Sequence, residues 1–293
     1  MSDGQKVIKE HLLEISGVTV EYNVQGQKFA AISDINLSIE KGETLGLVGE
    51  SGCGKSTMGT AIIQLPSPTS GSVKFAGQEL TDMSHAEMRP IRKRLQIIFQ
   101  DPISSLNPRR RVRNIVAEPL AISGVRKKDE IDYKVREALH AVGMDPDITM
   151  DRRPHQFSGG QCQRICIARA LILEPDLIVC DEPVSSLDVS VQAQILNLLE
   201  DMKERYGLTL LFISHDLAVV KNISDRVAVM YLGRICEIAK SEDIYSEPAH
   251  PYTAGLMSTI PEIGDKRASR IPALQGEIPS PLSPPSGCKF RSR

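Results

Sequence analysis

The chain has 293 residues, of which 41% are hydrophobic, and its 35 basic and 37 acidic side chains give a formal charge of −2. This composition excludes a disordered or fibrous chain, and a slightly negative charge offers no bulk attraction to nucleic acid. The chain contains no run of about 18 apolar residues, the length needed to span a membrane. Residues 1–16 lack the apolar core of a secretory signal. Six scattered cysteines without a C-x-x-C pair indicate no disulfide framework, so a cytosolic location is expected.

The amino-terminal part of the chain is predicted to be rich in strands. Short β-like runs separated by turns occupy residues 12–15, 18–22, 35–39, 44–48 and 72–75. A helical pattern covers residues 58–65 and ends before Pro66. Residues 84–157 are predicted to be mostly helical, with basic and proline-punctuated patches that indicate an inserted helical subdomain.

Helical and strand patterns alternate from residue 158 onward. Helices are expected at residues 161–174 and 190–206, and apolar strands at residues 176–181, 208–214 and 227–233. Strands that are apolar throughout are typical of a parallel sheet buried on both faces, which predicts the α/β class. Eight of the 18 prolines follow residue 240, so residues 241–293 are predicted to be an irregular extension of a domain that spans residues 1–240.

A phosphate-binding loop is indicated at residues 49–56, which fit the pattern G-x-x-x-x-G-K-[ST] between an apolar strand and a helix. Glycines let backbone N–H groups surround phosphate oxygens, the helix dipole points its positive end at them, and the lysine adds a charge. A plain glycine turn is the alternative, which the flanking elements disfavour. The candidate nucleotide-binding residues are Gly49, Ser51, Gly52, Gly54, Lys55, Ser56 and Thr57.

Two carboxylates, Asp181 and Glu182, end the apolar run 177–180, where a parallel sheet opens to its ligand crevice. Asp181 is expected to hold Mg²⁺ together with the hydroxyl of Ser56. Glu182 is expected to accept a proton from the water that attacks a terminal phosphate. In isolation this acidic pair could equally cap a helix, and the phosphate loop is what favours the catalytic interpretation.

The segment Phe157-Ser158-Gly159-Gly160-Gln161 resembles the LSGGQ signature of the ATP-binding-cassette (ABC) family, with Phe157 in place of leucine. Other landmarks are similar in the same order. Gln100, which follows the strand-like run 95–99, resembles the glutamine that senses Mg²⁺ and couples to a membrane partner. Asp188 resembles the D-loop aspartate, and His215 resembles the switch histidine. Tyr22 resembles the aromatic residue that stacks on adenine. The alternatives are Phe29 in that role, or Tyr22 as an ordinary β-face aromatic.

The resemblance implies a P-loop NTPase (RecA-like) parallel-sheet core with an amino-terminal antiparallel β-subdomain and an inserted helical subdomain. It implies an ATPase that uses ATP and Mg²⁺, with Gln100 a further Mg²⁺ ligand. A triphosphate buried between a phosphate loop and an opposing helix terminus has more of its oxygens hydrogen bonded than a phosphate loop alone can provide. Two chains are therefore expected to associate head to tail, so that Ser158, Gly159, Gly160 and Gln161 meet the ATP of the partner.

Two further stretches, residues 100–109 and the tail from residue 242, are similar to the second ATPase subunit of oligopeptide, dipeptide and nickel importers. The resemblance implies uptake of peptides across the cytoplasmic membrane. It further implies a second ABC ATPase subunit in a heterodimer, two transmembrane permeases, an extracytoplasmic substrate-binding protein, and a peripheral position on the cytoplasmic face of the inner membrane. Nucleic acid is not expected as a partner.

Several alternatives stay open from the sequence. A soluble ABC ATPase acting on nucleic acid or ribosomes, and an importer of nickel or another small solute, are the rival functions. The basic residues 109–113 could meet acidic groups of a permease or lipid headgroups, or could form a solvated loop. Cys162 and Cys166 are expected to pack in the core, and Cys288 alone cannot hold a metal cluster.

Overall fold

The computed structural model describes residues 11–24, 26–260 and 276–293. The expectations for residues 1–10, and for residues 261–275 of the extension, lie outside the described residues. The strands are β1 (His11–Val24), β2 (Gln27–Glu40), β3 (Thr44–Val48), β4 (Ser70–Phe75), β5 (Gln78–Glu79), β6 (Leu95–Ile98), β7 (Leu177–Asp181), β8 (Thr209–Ile213), β9 (Arg226–Tyr231) and β10 (Arg234–Lys240).

The helices alternate with these strands from β3 onward. They are α1 (Lys55–Ile62), α2 (His85–Arg94), α3 (Val112–Ile122), α4 (Lys128–Ala141), α5 (Pro146–Thr149), α6 (Gly159–Leu171), α7 (Val189–Tyr206), α8 (Leu217–Ile223), α9 (Ser241–Ser246) and α10 (Pro251–Met257). None of the helices in the described part of the chain combines the length and the apolar character that crossing a membrane requires.

The strands form two sheets. An antiparallel sheet has the order β2-β1-β4-β5 and contains the predicted amino-terminal runs except 44–48, which is β3 of the other sheet. The first two runs are a single strand, β1, whose register against β2 shifts between Ile15 and Val18. The second sheet has the order β10-β9-β3-β8-β7-β6, with β10 antiparallel to β9 and the other neighbours parallel.

The parallel sheet is the predicted α/β core. All residues of β3, β7 and β8 are buried, which explains why these segments are apolar throughout. Carboxyl ends of parallel strands share one edge of a sheet, and the segments after β3, β6, β7 and β8 carry the phosphate loop, Gln100, Glu182 and His215. The topology therefore gathers residues from four separate places in the sequence.

Helix α1 lies between the two sheets. Its Met58 and Ile62 are buried in one cluster with residues of β1, β2, β7 and β8. A Cβ on Gly59 would stand 2.8 Å from Cδ1 of Ile213 and 3.0 Å from Cγ1 of Val179, so the helix packs closely on β7 and β8. This packing fixes the start of α1, and with it the end of the phosphate loop.

The range 84–157 contains α2 to α5 and also β6, which pairs with β7 in the parallel sheet. The helices α3, α4 and α6 pack on one another around buried residues such as Ile115, Leu139 and Ile165. The strand-like run 95–99 is therefore confirmed as β6, and the helices α3 to α5 follow it.

The basic stretch 109–113 makes ion pairs within its own chain. Arg110 pairs with Glu118, and Arg111 and Arg113 pair with Asp151 at 3.0 and 3.2 Å. All of these side chains are partly exposed, so each pair contributes little to stability. They offset only part of the local positive charge, because Arg111 and Arg113 share the single carboxylate of Asp151.

The carboxy-terminal extension is not irregular throughout. Residues 241–257 contain the short helices α9 and α10, in which Ile244 and Tyr252 are fully buried. Pro251 occupies the first turn of α10, where a missing N–H costs nothing, and His250 caps that helix by accepting from the N–H of Tyr252. Residues 276–293 form turns without regular elements.

Candidate nucleotide-binding site

The phosphate loop joins β3 to α1 with the geometry that the motif predicts. The ammonium group of Lys55 donates to the carbonyl oxygens of Gly49 at 2.8 Å and Glu50 at 3.1 Å, and its side chain is buried. A Cβ on Gly49 would stand 2.2 Å from the carbonyl oxygen of Met230, so a glycine is required there. The loop thus keeps a buried cation at its centre, at the amino terminus of α1.

A cavity of about 880 Å³ opens in front of this loop. The predicted residues that line it are Tyr22, Ser51, Gly52, Gly54, Lys55, Ser56, Thr57, Gln100, Glu182 and His215. Gly49 and Asp181 do not line the cavity themselves. Gly49 lies beneath the loop, and Asp181 lies behind Ser56, to which it is hydrogen bonded.

Asp181 is buried at the end of β7 and accepts a 3.0 Å hydrogen bond from the hydroxyl of Ser56. Burial raises the pKa of the Asp181 carboxyl, the hydrogen bond from Ser56 opposes this, and the charge of Glu182 raises it again. The sequence predicts a shared metal site for these two oxygens, and the structure brings them within hydrogen-bonding distance.

Glu182 is the point on which two other predicted residues converge. Nε2 of Gln100 donates to Oε2 of Glu182 at 3.0 Å, and Nδ1 of His215 lies 3.1 Å from the same oxygen. The backbone of Glu182 has a φ of 48°, a conformation that residues other than glycine rarely adopt. Its N–H donates to the carbonyl of Ile213 at 2.9 Å, and this contact with β8 holds the strained residue in place.

Two aromatic rings stand at the other side of the cavity. Tyr22 and Phe29 are directly opposite each other on β1 and β2, with ring centroids 6.0 Å apart, and both line the cavity. Tyr22 is 36% exposed, so its ring is available to a ligand. Both aromatic candidates of the sequence analysis therefore face the same space, and the geometry does not favour one over the other.

The Ser-Gly-Gly-Gln segment is at the amino terminus of α6 and does not line this cavity. Ser158 accepts from the N–H of Gln161 at 3.3 Å, and Oε1 of Gln161 accepts from the N–H of Ser158 at 3.0 Å, a reciprocal cap. A Cβ on Gly160 would stand 2.4 Å from Cγ1 of Val191, which brings α6 close to α7. Ser158 and Gln161 are exposed, so this helix end is open to another molecule.

Asp188 caps α7 and also lies outside the cavity lining. Its Oδ1 accepts from the hydroxyl of Ser190 at 2.7 Å and from the N–H of Val191 at 3.0 Å. These two hydrogen bonds lower the pKa of the Asp188 carboxyl. The charged Asp188 carboxylate thus lies at the amino terminus of α7, the positive end of the helix dipole. It contacts the N–H of Val191, whose side chain packs on Gly160.

Cys162 and Cys166 are buried among apolar residues of the helical body, as expected. Burial raises the pKa of the Cys166 thiol to about 12 and also raises the pKa of Cys162. Neither side chain is a thiolate at neutral pH, so the two cysteines act as small hydrophobic residues.

Some residues of the cavity were not found from the sequence. They fall into two groups, a wall from β2 and the β9–β10 turn (Ala30, Ala31, Ser33, Leu232, Gly233 and Arg234) and a wall from the carboxy-terminal segment (Pro281, Pro284, Pro285, Gly287 and Lys289). No motif marks either group. The tail was assigned by resemblance to a subfamily, but nothing in its composition indicates that it reaches the phosphate loop.

The fold and the phosphate loop define a P-loop nucleotide-binding protein, and comparisons with known proteins identify its family. Residues 32–185 match the family model described as ABC transporter, and residues 236–293 match the model described as oligopeptide/dipeptide transporter, C-terminal region. The chain therefore belongs to the ABC transporter family, whose ATPase fold binds ATP.

Curated relatives are similar over nearly the whole chain. The oligopeptide transport ATP-binding protein OppF of Escherichia coli is 49% identical, with 100% of this chain and 90% of that protein covered. A putative peptide import ATP-binding protein of Brucella ovis is 51% identical, with coverage of 96% and 89%. AppF of Bacillus subtilis, an oligopeptide transport ATP-binding protein, is 47% identical, with coverage of 97% and 89%.

Solved structures share the fold. The ATP-binding cassette MJ0796, in a dimeric post-hydrolysis state bound to ADP and Pi, has a TM-score of 0.71 and 30% identity, covering 78% of this chain and 98% of that one. CbiO1 from Clostridium perfringens, part of the ABC transporter complex cbiONQ, has a TM-score of 0.72 and 29% identity, with coverage of 85% and 96%. The predicted family, α/β P-loop fold and ATPase class are confirmed.

Proposed function

We propose that this chain is the ATP-hydrolysing subunit of an importer that takes up dipeptides or oligopeptides. The observation that carries the proposal is the convergence of Gln100 and His215 on one oxygen of Glu182, inside the cavity that Lys55 and Ser56 also line. The relatives in E. coli, B. ovis and B. subtilis carry names of peptide or oligopeptide transport, and these names support the choice of cargo.

The phosphate loop is the basis for proposing that the chain binds ATP. Lys55 donates to the carbonyls of its own loop, and a bound triphosphate offers this ammonium group better acceptors because phosphate oxygens are charged. Backbone N–H groups of the loop and the amino terminus of α1 face the same place. Tyr22 or Phe29 then provides a ring on which the adenine stacks.

The residues around Ser56 suit Mg²⁺. The ion prefers hard oxygen ligands, uses one or two carboxylates, and takes its remaining ligands from water and phosphate. Ser56 and Asp181 supply a hydroxyl and a carboxylate that are already hydrogen bonded to each other. Gln100 contacts Glu182 through its Nε2, so its side-chain oxygen is not used in that contact and can serve as a further ligand. When bound, the ion neutralises negative charge on the phosphates.

The reaction is an in-line displacement at the γ-phosphorus. A bond forms between the oxygen of water and the γ-phosphorus, the bond to the bridging oxygen breaks, and ADP leaves with that electron pair. Glu182 accepts the proton of the attacking water, Gln100 and His215 hold its carboxylate in place, and Lys55 stabilises the charge on the phosphates.

Ser158, Gly159, Gly160 and Gln161 act on the ATP of another subunit. They are exposed or partly exposed at a helix end, apart from the buried Gly160, and they do not line the cavity of their own chain. A dimer in which each helix end faces the partner's cavity would complete both sites, and Asp188 would stand at the same interface. The structure of MJ0796 with ADP and Pi is dimeric, which supports the proposal of a dimer.

The complex that we propose contains a second ABC ATPase subunit, two permeases and an extracytoplasmic binding protein, with this chain peripheral on the cytoplasmic face of the inner membrane. The match of residues 236–293 to the oligopeptide/dipeptide transporter C-terminal region supports this subfamily. Hydrolysis would then drive movement of the permeases, and the permeases with the binding protein would select the cargo.

Substitution of Lys55 tests the proposal. Lys55→Ala is expected to weaken ATP binding by about a hundredfold, since removing a charge-assisted contact in a buried site costs roughly 3 kcal/mol. Lys41→Ala, an exposed lysine between β2 and β3, is the matched control. The complete complex in vesicles is then supplied with a labelled dipeptide or with nickel. Uptake of the peptide that stops with Lys55→Ala supports the proposal, and uptake of nickel alone refutes the choice of cargo.

A further inference from the structure

The second residue of the phosphate loop, Glu50, is held by the carboxy-terminal extension on both its backbone and its side chain. Its N–H donates to the hydroxyl of Tyr252 at 3.1 Å, and its carboxylate accepts from Arg293 at 2.7 Å. Its carbonyl accepts from Lys55 at 3.1 Å. The peptide groups on both sides of Glu50 are thereby fixed, one by the loop's own lysine and one by the extension.

These contacts are well shielded from water. The side chain of Arg293 is 5% exposed and that of Glu50 is 23% exposed. Tyr252 is fully buried and packs on Tyr231 with ring centroids 4.6 Å apart. The hydrogen bond to Glu50 raises the pKa of Arg293, which remains charged at any physiological pH. A charge pair this sheltered is screened by salt far less than a surface pair.

Phe290 anchors the described end of the segment. Its ring packs edge to face on Tyr231, with centroids 5.6 Å apart and an interplanar angle of 87°, and lies 5.5 Å from Tyr252 and 5.8 Å from His250. Beside it, the ammonium group of Lys289 donates to the carbonyl of Leu232 at 2.8 Å. The segment is therefore docked on β9, on α10 and on the turn that follows β9.

The docked segment also forms part of the cavity. Its prolines 281, 284 and 285, together with Gly287 and Lys289, line the same space as the phosphate loop. Lys289 and Arg234 add two cations to Lys55 in that lining. Burial, and then the nearby charge of Arg234, lower the pKa of Lys289, so an anionic ligand in this cavity would relieve the repulsion between the two.

We propose that residues 276–293 are a structural part of the ATP site. Arg293 of this segment, together with Tyr252 of α10, positions Glu50 and so holds the phosphate loop in the conformation that binds ATP. This proposal rests on the ATP-binding function proposed above. Because coupling between two binding events is reciprocal, docking of the segment raises the affinity for ATP, and ATP strengthens the docking. Arg293 and Tyr252 are positioning residues that act through Glu50.

The first test measures ATP affinity in the full chain. Arg293→Ala is expected to raise the dissociation constant for ATP about fivefold, because Glu50 then loses the contact that holds its carboxylate. Arg291→Ala is the matched control, because Arg291 is exposed and lies two residues away on the same segment. The charge-swapped double variant Glu50→Arg with Arg293→Glu is expected to recover affinity relative to either single change, which loss of packing alone would not produce.

The second test measures docking directly. Trypsin also cuts after the exposed Arg291, so this test uses the Arg291→Ala chain. There it cuts after Lys289 only when that side chain leaves its contact with Leu232, and the cutting rate, followed by the mass of the protein, reports the undocked population. ATP with Mg²⁺ is expected to slow this cut severalfold, and Phe290→Ala is expected to speed it and to weaken ATP binding. Phe290→Ala leaves the phosphate loop sequence unchanged.

The outcomes separate the two proposals. If the wild-type chain binds ATP but Arg293→Ala binds it equally well, or if ATP leaves the cutting rate at Lys289 unchanged, the role of the segment is refuted and the ATPase function stands. If the wild-type chain binds ATP no better than Lys55→Ala, the proposed function itself fails.

Discussion

Replacing Glu182 with glutamine removes the proposed proton acceptor and leaves the shape of the cavity unchanged. The side chain of Glu182 is 15% exposed, and its Oε2 receives contacts at 3.0 Å from Gln100 and at 3.1 Å from His215. The amide of glutamine has the same size and can turn its oxygen toward both partners. An amide does not accept a proton at neutral pH, so the change is expected to act on hydrolysis and spare binding.

The expected size follows from the role of the residue. A positioned general base contributes roughly 10² to 10⁴ in rate, which is about 2.7 to 5.4 kcal/mol of activation free energy. Contacts with Gln100 and His215 survive the substitution, so none of this loss comes from a disordered side chain. We therefore expect phosphate release at saturating ATP to fall by at least about a hundredfold, and the dissociation constant for ATP to change by less than about twofold.

The assay compares Glu182→Gln with Glu200→Gln, an exposed glutamate on α7 remote from the cavity. Phosphate release gives the turnover number, equilibrium binding gives the ATP affinity, and gel filtration with ATP gives the fraction of dimer. Glu182→Gln is expected to accumulate an ATP-bound dimer because hydrolysis no longer opens it. Wild-type turnover in Glu182→Gln would refute the assignment of Glu182, and equal losses of turnover and ATP affinity would indicate a structural role.

Two further predictions concern stability. Gly160→Ala would place a Cβ 2.4 Å from Val191 and is expected to lower the free energy of unfolding by about 1 to 3 kcal/mol. Gly159→Ala is the control and is expected to be tolerated, because the nearest neighbour of its Cβ lies at 3.4 Å. Equal urea midpoints for the two variants would contradict this prediction. Burial tends to raise the pKa of Glu79, but two hydroxyls outweigh it and lower the value to about 2. The donors are Ser72 and Thr81. Its contribution, at most about 1 kcal/mol, is present above pH 4.5 and lost as the pH falls toward 2. Glu79→Gln should therefore lower the urea midpoint at pH 7 and not near pH 2, and a deficit that persists at pH 2 would contradict the reasoning.

The sequence predicts best where a chemical constraint and a local pattern coincide. At residues 49–56 the glycines, the lysine and the flanking apolar strand act within one short segment, and the structure has the strand, loop and helix in that order. Glu182 and His215 follow apolar runs that are strands β7 and β8, and adjacent parallel strands end at one edge. Their meeting within 3.1 Å follows from the topology of the sheet.

Prediction fails where a segment is defined by its tertiary contacts. The runs 12–15 and 18–22 are predicted as separate strands, yet they form the single strand β1, whose continuity depends on pairing with β2. In the extension, the proline content predicts irregular structure, yet Pro251 lies in the first turn of α10, where a proline is favourable. Proline content alone cannot separate these two roles, because the distinction lies in whether the following residues find a surface to pack against.

The carboxy-terminal segment shows why its role could not be found from composition. Glu50 lies 202 residues before Tyr252 and 243 residues before Arg293, and these contacts appear only when β9 and α10 have placed two tyrosine rings side by side. Phe290 then has an aromatic surface on which to pack. A proline-rich stretch has little conformational freedom to lose on docking, so one aromatic anchor and one shielded ion pair can hold it beside the phosphate loop.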